Sequence, residues 1–207
     1  MPTASPQIAL TYFNAPGRAE SVRVALRLAG QPFEDRRLNY ADFGALKAQG
    51  ALPLGSVPLL EVDGLVLTQT AAMLRYAARL GGGELYPSDP LQALIVDSAL
   101  DTFNDTLSNA LLPSLYERDM EKKLAMRVDF AAGPLARACA YVEGLIARSG
   151  GPFLLGSSLS IADIVIALQI GQIEAGGLDG ISPSMLDAYP HLKGLAAAYR
   201  AEPRIAG

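Results

Sequence analysis

The sequence predicts a mixed α/β unit followed by an all-α unit. Three observations carry that reading. Up to about residue 82, short β-type runs alternate with helical stretches in the order strand, helix, strand, weak helix, two strands, helix. Beyond residue 90 the strand signals stop and long helical periodicities take over. The charge changes at the same place, from net +1 over residues 1–85 to net −5 over residues 86–207. The expected domains are therefore 1–82 and 91–207, joined by a linker over 83–90.

The elements follow in order. Gln7 to Phe13, QIALTYF, reads as a strand. Gly17 opens a helix to Ala29, with Val22, Ala25, Leu26 and Ala29 three and four apart and Gly30 as its stop. Phe33 to Leu38 is the second strand, so the start is a βαβ crossover. Tyr40 to Gln49 is weakly helical. Leu59 to Val62 and Leu65 to Thr68 are strands joined by the hairpin signal Asp63-Gly64. Gln69 to Leu80 is a helix ended by three glycines. In the second half, Val96, Leu100, Phe103, Leu107 and Leu111 form one apolar stripe. A second long helix is expected from about Lys122 to Arg148. Ser160 to Asp163 spells a capping box, with Leu159 and Ile164 as its staple, before a helix to Ile173 that is apolar almost all round. Pro190 starts a last helix that ends near Ala201.

Composition narrows the chemistry. The 207 residues are 50% hydrophobic and 18% charged, which excludes disorder as the main state. A net charge of −4 argues against nucleic acid or an anionic membrane as the partner. There is no tryptophan, one histidine (His191) and one cysteine (Cys139). Those counts exclude His/Cys zinc sites, iron–sulfur clusters, internal disulfides and Ser-His-Asp triads. No metal is expected. Met1 to Gln7 lacks the pattern of a signal peptide and no apolar run approaches a membrane span, so a cytoplasmic location is expected. Any enzyme chemistry must use Tyr, Ser, Thr, Arg, Lys, carboxylates and backbone, or a reactive group brought by another molecule.

The layout βαβ–α–ββα plus a helical half is that of a thioredoxin-like domain with a helical bundle attached. TYFNAPGRAESVRVALRLAG resembles the opening of Tyr-type cytosolic glutathione transferases, close to the sigma class. GSVPLLEVDG, TQTAAMLRYAAR, SLSIADIVIA and YPHLKGLAAAYRAEPRI resemble, in the same order, that family's proline turn and hairpin, glutathione-gripping segment, capped central helix and last helix. The likeness spans nearly the whole chain.

The resemblance gives individual residues expected roles. Read alone, Tyr12 is a half-buried strand tyrosine; the resemblance makes its hydroxyl the donor to the glutathione sulfur. Arg18 is either a solvated helix-start arginine paired with Glu20 or a cation beside the site. Val57-Pro58 reads alone as a trans proline opening an edge strand. The resemblance implies a cis turn, with the Val57 backbone pairing with the cysteinyl backbone of glutathione. Thr70 is an acceptable N-cap; in the family pattern Gln69 and Thr70 hold the γ-glutamyl carboxylate. Asp97, Asp101 and Asp105 share a helix face, and 97 and 105 read as solvated. Asp101 matches the aspartate that reaches across a dimer to the γ-glutamyl ammonium, so a homodimer is expected.

Two positions depart from the pattern. Phe43 replaces a frequent Trp, removing an indole donor toward the glycyl carboxylate, which Lys47 one turn later can replace unless it is merely solvated. Ser56 stands where Gln is common. Cys139 reads as a core or interface residue. Phe13 and Ala15 are expected to wall a hydrophobic electrophile pocket opposite Leu107, Leu111 and Tyr116, closed by Ile205-Ala206. The expected activity is glutathione transfer to hydrophobic electrophiles, in detoxification, with glutathione as cosubstrate. The alternatives are a glutathione-dependent isomerase or peroxidase on the same site, and a non-catalytic ligand-binding dimer.

Overall fold

Four strands form one sheet: β1 (Ile8–Phe13), β2 (Glu34–Leu38), β3 (Leu59–Val62) and β4 (Leu65–Leu67), in the spatial order β2-β1-β3-β4. The structure is a computed structural model that describes residues 5–206, the side chains of Ser108 and Ala206 excepted. Met1–Ala4, part of the segment read for targeting, and the Ala206 side chain read as closing the pocket lie outside the described residues. β1 is parallel to β2 and antiparallel to β3, which is antiparallel to β4. Parallel neighbours need a crossover, and α1 (Glu20–Leu28) supplies it. Asp63 and Gly64 both have positive φ, 49° and 83°, as a two-residue hairpin of this kind requires.

The helix expected from Gly17 begins instead as a 3₁₀ turn, Gly17–Ala19, and becomes α-helical at Glu20. α2 (Tyr40–Ala48) forms although its apolar pattern is weak, because Asn39 and Asp42 make a reciprocal capping box at its start. α3 (Thr70–Leu80) packs beside α1, and Val22, Ala25, Leu26, Met73, Leu74 and Ala77 of the two helices are buried, as are Leu10 and Leu60 of the sheet.

The chain divides into two compact units, one ending at Gly83 and the other starting at Glu84. Within the second unit Leu85 is buried, and its carbonyl accepts the Ile161 N–H at 2.9 Å. The helices are α4 (Pro90–Asp105), α5 (Leu112–Tyr116), α6 (Met120–Phe130), α7 (Ala136–Ser149), α8 (Ile161–Glu174), α9 (Pro190–Ala201) and α10 (Pro203–Ala206). α8 is the axis of this unit and packs against α4 and α9. Its start is the predicted box. Asp163 takes the Ser160 N–H at 2.8 Å, the Ser160 hydroxyl at 2.6 Å and the Leu154 N–H at 2.9 Å. Burial pushes the Asp163 carboxyl up to about 6, against those donors, which favour the anion.

Three expectations are corrected. The single helix expected over 122–148 is α6 and α7 joined by a π turn, Ala131–Leu135, that contains Pro134. Proline has no N–H and its ring crowds the carbonyl four residues back, and the wider turn accommodates both. The apolar stripe over 96–111 likewise leaves α-geometry at Asp105 for a π turn, Thr106–Leu111. Asp97 is not simply solvated: it accepts the Tyr86 hydroxyl at 2.8 Å.

Candidate active site

The C-terminal end of β1 delivers Tyr12 into a loop that turns at Gly17. The Tyr12 oxygen accepts the Arg18 backbone N–H at 3.3 Å. Gly17 has φ of +43°, and a Cβ there would stand 2.5 Å from the Tyr12 hydroxyl oxygen. The phenol therefore lies over the one residue of the turn that has no side chain. The 3₁₀ turn has no side-chain cap, and its Arg18 N–H is directed at Tyr12.

Arg23, which no sequence pattern singled out, completes this corner. It is 1% exposed in the middle of α1. Its Nε donates to both Asp35 oxygens at 3.1 Å, and its Nη1 donates to the carbonyls of Ala15 (3.1 Å) and Pro16 (3.2 Å) and to Glu20 (3.0 Å). The guanidinium carbon lies 5.9 Å from the Tyr12 ring centroid. Glu20 engages Arg23 and Arg27. The signal in the sequence was a charged residue between Val22 and Val24, where the helix buries its apolar face.

The Val57-Pro58 peptide bond is cis, and Pro58 is buried at the head of β3. Ser56 is exposed in front of it, and Lys47, exposed on α2, places its Cε 4.0 Å from where a Cβ on Gly55 would be. Gln69, not Thr70, is the N-cap of α3, and its side chain makes no capping bond. Its φ of +77° is unusual for a non-glycine residue. The first turn of α3, from Thr70, thus presents backbone donors without a side-chain cap.

Phe43 has a definite place. Its ring lies 5.2 Å from that of Phe13, which is also 5.2 Å from Tyr40. Residues expected in two different subsites thus share one aromatic cluster. Phe13, Ala15, Arg37, Asn39 and Tyr40 line a groove of about 450 Å³ beside it. In the second unit Asp101 is exposed on α4, Leu107 is half-buried, Leu111 is buried and Tyr116 is 77% exposed. Cys139 is fully buried, and burial pushes its thiol up to about 12. Such a thiol is not a nucleophile at neutral pH. His191 is occupied by Glu143 at 2.7 Å. Among the described residues no group of three or more His, Cys, Asp or Glu could hold a metal ion, and no helix is long and apolar enough to cross a membrane.

Comparison with known proteins assigns the family. Residues 8–79 match the glutathione S-transferase N-terminal domain, and residues 104–207 match the glutathione S-transferase C-terminal domain. Glutathione S-transferase 1 of Ascaris suum is 35% identical over 205 residues, covering 97% of this chain and 94% of the relative. The solved structure of prostaglandin synthase D of Nilaparvata lugens superposes with a TM-score of 0.82 at 28% identity, covering 97% of this chain and 96% of that one. A monomeric glutathione S-transferase of the hookworm Necator americanus does so with 0.77 at 29% identity, covering 97% and 94%. The chain belongs to the glutathione S-transferase family: a thioredoxin-like domain and a helical domain of a transferase whose relatives use glutathione as cosubstrate.

Proposed function

We propose that this chain is a Tyr-type, sigma-class-like transferase in which the Tyr12 hydroxyl stabilises the glutathione thiolate for attack on a hydrophobic electrophile. One observation carries the reading. The Tyr12 oxygen already accepts the Arg18 N–H, so the phenolic proton is the one left to donate outward. A free thiol ionises near pH 8.5, so little thiolate exists at neutrality. A hydrogen bond to a charged group is worth about 1.5–3 kcal/mol, and about 1.4 kcal/mol is one pKa unit. Tyr12 can thus bring the thiol's ionisation to about pH 7. The thiol proton goes to solvent, the sulfur forms its bond to the electrophilic carbon, and the leaving group departs with its electron pair.

The remaining roles follow the same reading. The uncapped start of α3 and the unusual Gln69 backbone support Gln69 and Thr70 as the carboxylate subsite for the γ-glutamyl end. The Val57 backbone beside cis-Pro58 pairs with the cysteinyl backbone, Arg18 adds positive charge by Tyr12, and Lys47 takes the glycyl carboxylate. Phe43 gives apolar contact where an indole N–H is missing, and Ser56 a shorter polar one. Phe13 and Ala15 receive the electrophile in the first unit, as do Leu107, Leu111 and Tyr116 in the second.

A homodimer that works in the cytoplasm, in detoxification, completes the reading. It is supported by exposed apolar residues Leu54, Leu65, Val66 and Leu67 in the first unit and Leu91 and Leu94 in the second. An apolar edge strand such as β4 is a pairing template that proteins keep covered. A partner's copy of Asp101 then meets the γ-glutamyl ammonium. The likeness to a protein named prostaglandin synthase D supports a second reading, an isomerase using the same thiolate.

The test is retention on immobilised glutathione together with conjugation of an aryl halide. Wild type is expected to be retained and to turn over. Tyr12→Phe is expected to be retained and to lose about ten- to hundredfold in kcat. Retention without turnover in wild type favours the ligand-binding dimer, and full turnover by Tyr12→Phe contradicts the mechanism.

A further inference from the structure

We propose that Arg23 is the positioning residue of Tyr12, fixing where the phenolic hydroxyl points. The inference rests on the Tyr12 reading and adds a residue to it. Arg23 touches no substrate; it acts through the turn and the ring. Its Nη1 gathers the Ala15 and Pro16 carbonyls, the two residues just before Gly17. That clamp holds the turn from which the Arg18 N–H, two residues past Pro16, meets the Tyr12 oxygen. Its Nε takes both oxygens of Asp35 on β2, the strand paired to β1 with Tyr12 opposite Arg37. The guanidinium carbon is 5.9 Å from the Tyr12 ring centroid, within reach of a cation–π contact.

Two further facts say that this arginine is more than a helix residue. It ranks first by volume among fully buried side chains of the described chain, at 1% exposure. Its Nη2 is buried without an acceptor, although a buried unpaired donor on a cation is costly. The guanidinium group as a whole lies over the electron-rich face of the Tyr12 ring. Lysine cannot substitute, because one nitrogen cannot reach a carboxylate and two carbonyls from separate atoms of a planar fork.

The test is a double-mutant cycle of Arg23→Lys with Tyr12→Phe, read as kcat, glutathione KM and the ultraviolet titration of the bound thiol. Arg23→Lys is expected to lower kcat about tenfold, with glutathione KM changed by less than about threefold and the bound thiol ionising at higher pH. In the Tyr12→Phe background the same change is expected to cost less than about twofold. Equal losses in both backgrounds, or a loss in KM alone, overturn the inference. An unaltered Tyr12→Phe enzyme overturns the Tyr12 reading itself. Asp35→Asn loosens the same clamp from the neighbouring strand and is expected to give a weaker version of the same signature. If Arg23→Lys does not fold, the cycle of Asp35→Asn with Tyr12→Phe decides by the same criterion.

Discussion

A Cβ on Gly17 would stand 2.5 Å from the Tyr12 hydroxyl oxygen and 2.7 Å from its Cε1. The Tyr12 phenol and the turn that faces it are thus fitted to each other at a position where a side chain has no room. Gly17 also needs positive φ, at +43°. Gly17→Ala is therefore expected to lose about 2 kcal/mol of stability from the backbone alone. It is also expected to lose about tenfold or more in kcat, since the ring must move aside. Urea unfolding and steady-state kinetics read the two effects. Wild-type kcat in Gly17→Ala contradicts the idea that this contact sets the Tyr12 rotamer.

Asp163 anchors α8 and through it the second unit. Asp163→Ala leaves the Leu154 and Ser160 N–H groups and the Ser160 hydroxyl in the interior without that acceptor. The expected loss is about 3 kcal/mol. Its pH dependence has a definite sign. The folded-state carboxyl is raised from 3.8 to about 6, so the folded state binds the proton first as pH falls. This group's titration contribution is fully present below pH 3.8 and is lost as pH rises through about 6. The difference in unfolding free energy between wild type and Asp163→Asn is expected to follow that curve. A difference that grows with pH over the same range contradicts it.

Much of the fold was legible because periodicity reports burial directly. The capping box at Ser160–Asp163, the Asp63-Gly64 hairpin and the βαβ start needed only local spacing. Pro134 shows the opposite case. Its surroundings keep an apolar helical rhythm, so only the geometry of the turn reveals where α6 ends and α7 begins. The capping box of Asn39 and Asp42, which was not singled out from the sequence, compensates for the weak pattern of α2. At the candidate site, the cis turn at Val57-Pro58 was legible through resemblance, which also singled out Tyr12. Arg23 was not, since its meaning depends on Asp35 from another strand and on two carbonyls of a loop. The contact of Phe13 with Phe43, residues thirty apart, is likewise a product of tertiary packing.

Cys139 is expected to be silent toward thiol reagents in the native protein at about pH 8. Burial raises its thiol from 9.0 to about 12, so folding retains the proton, and the stability tied to it is lost only as pH climbs from 9.0 through about 12. A disulfide reagent is expected to react with one equivalent of thiol only after denaturation. Rapid labelling of the native protein contradicts this placement.

The exposed apolar strand β4 predicts self-association. Leu65→Lys with Leu67→Lys is expected to convert a dimer into a monomer, read by light scattering. Because Asp101 is assigned to the partner's site, the monomer and Asp101→Ala are both expected to raise glutathione KM, by about tenfold. A wild-type monomer with unaltered affinity removes Asp101 from the site.

The central claim is that Tyr12 donates to the glutathione sulfur, and the ionisation of the bound thiol tests it most directly. Ultraviolet titration of glutathione bound to wild type is expected to show thiolate forming at least about one pH unit below the free thiol, near 8.5. Tyr12→Phe is expected to bind glutathione and return that titration toward the free value. Coincident titrations of the two proteins would contradict the account.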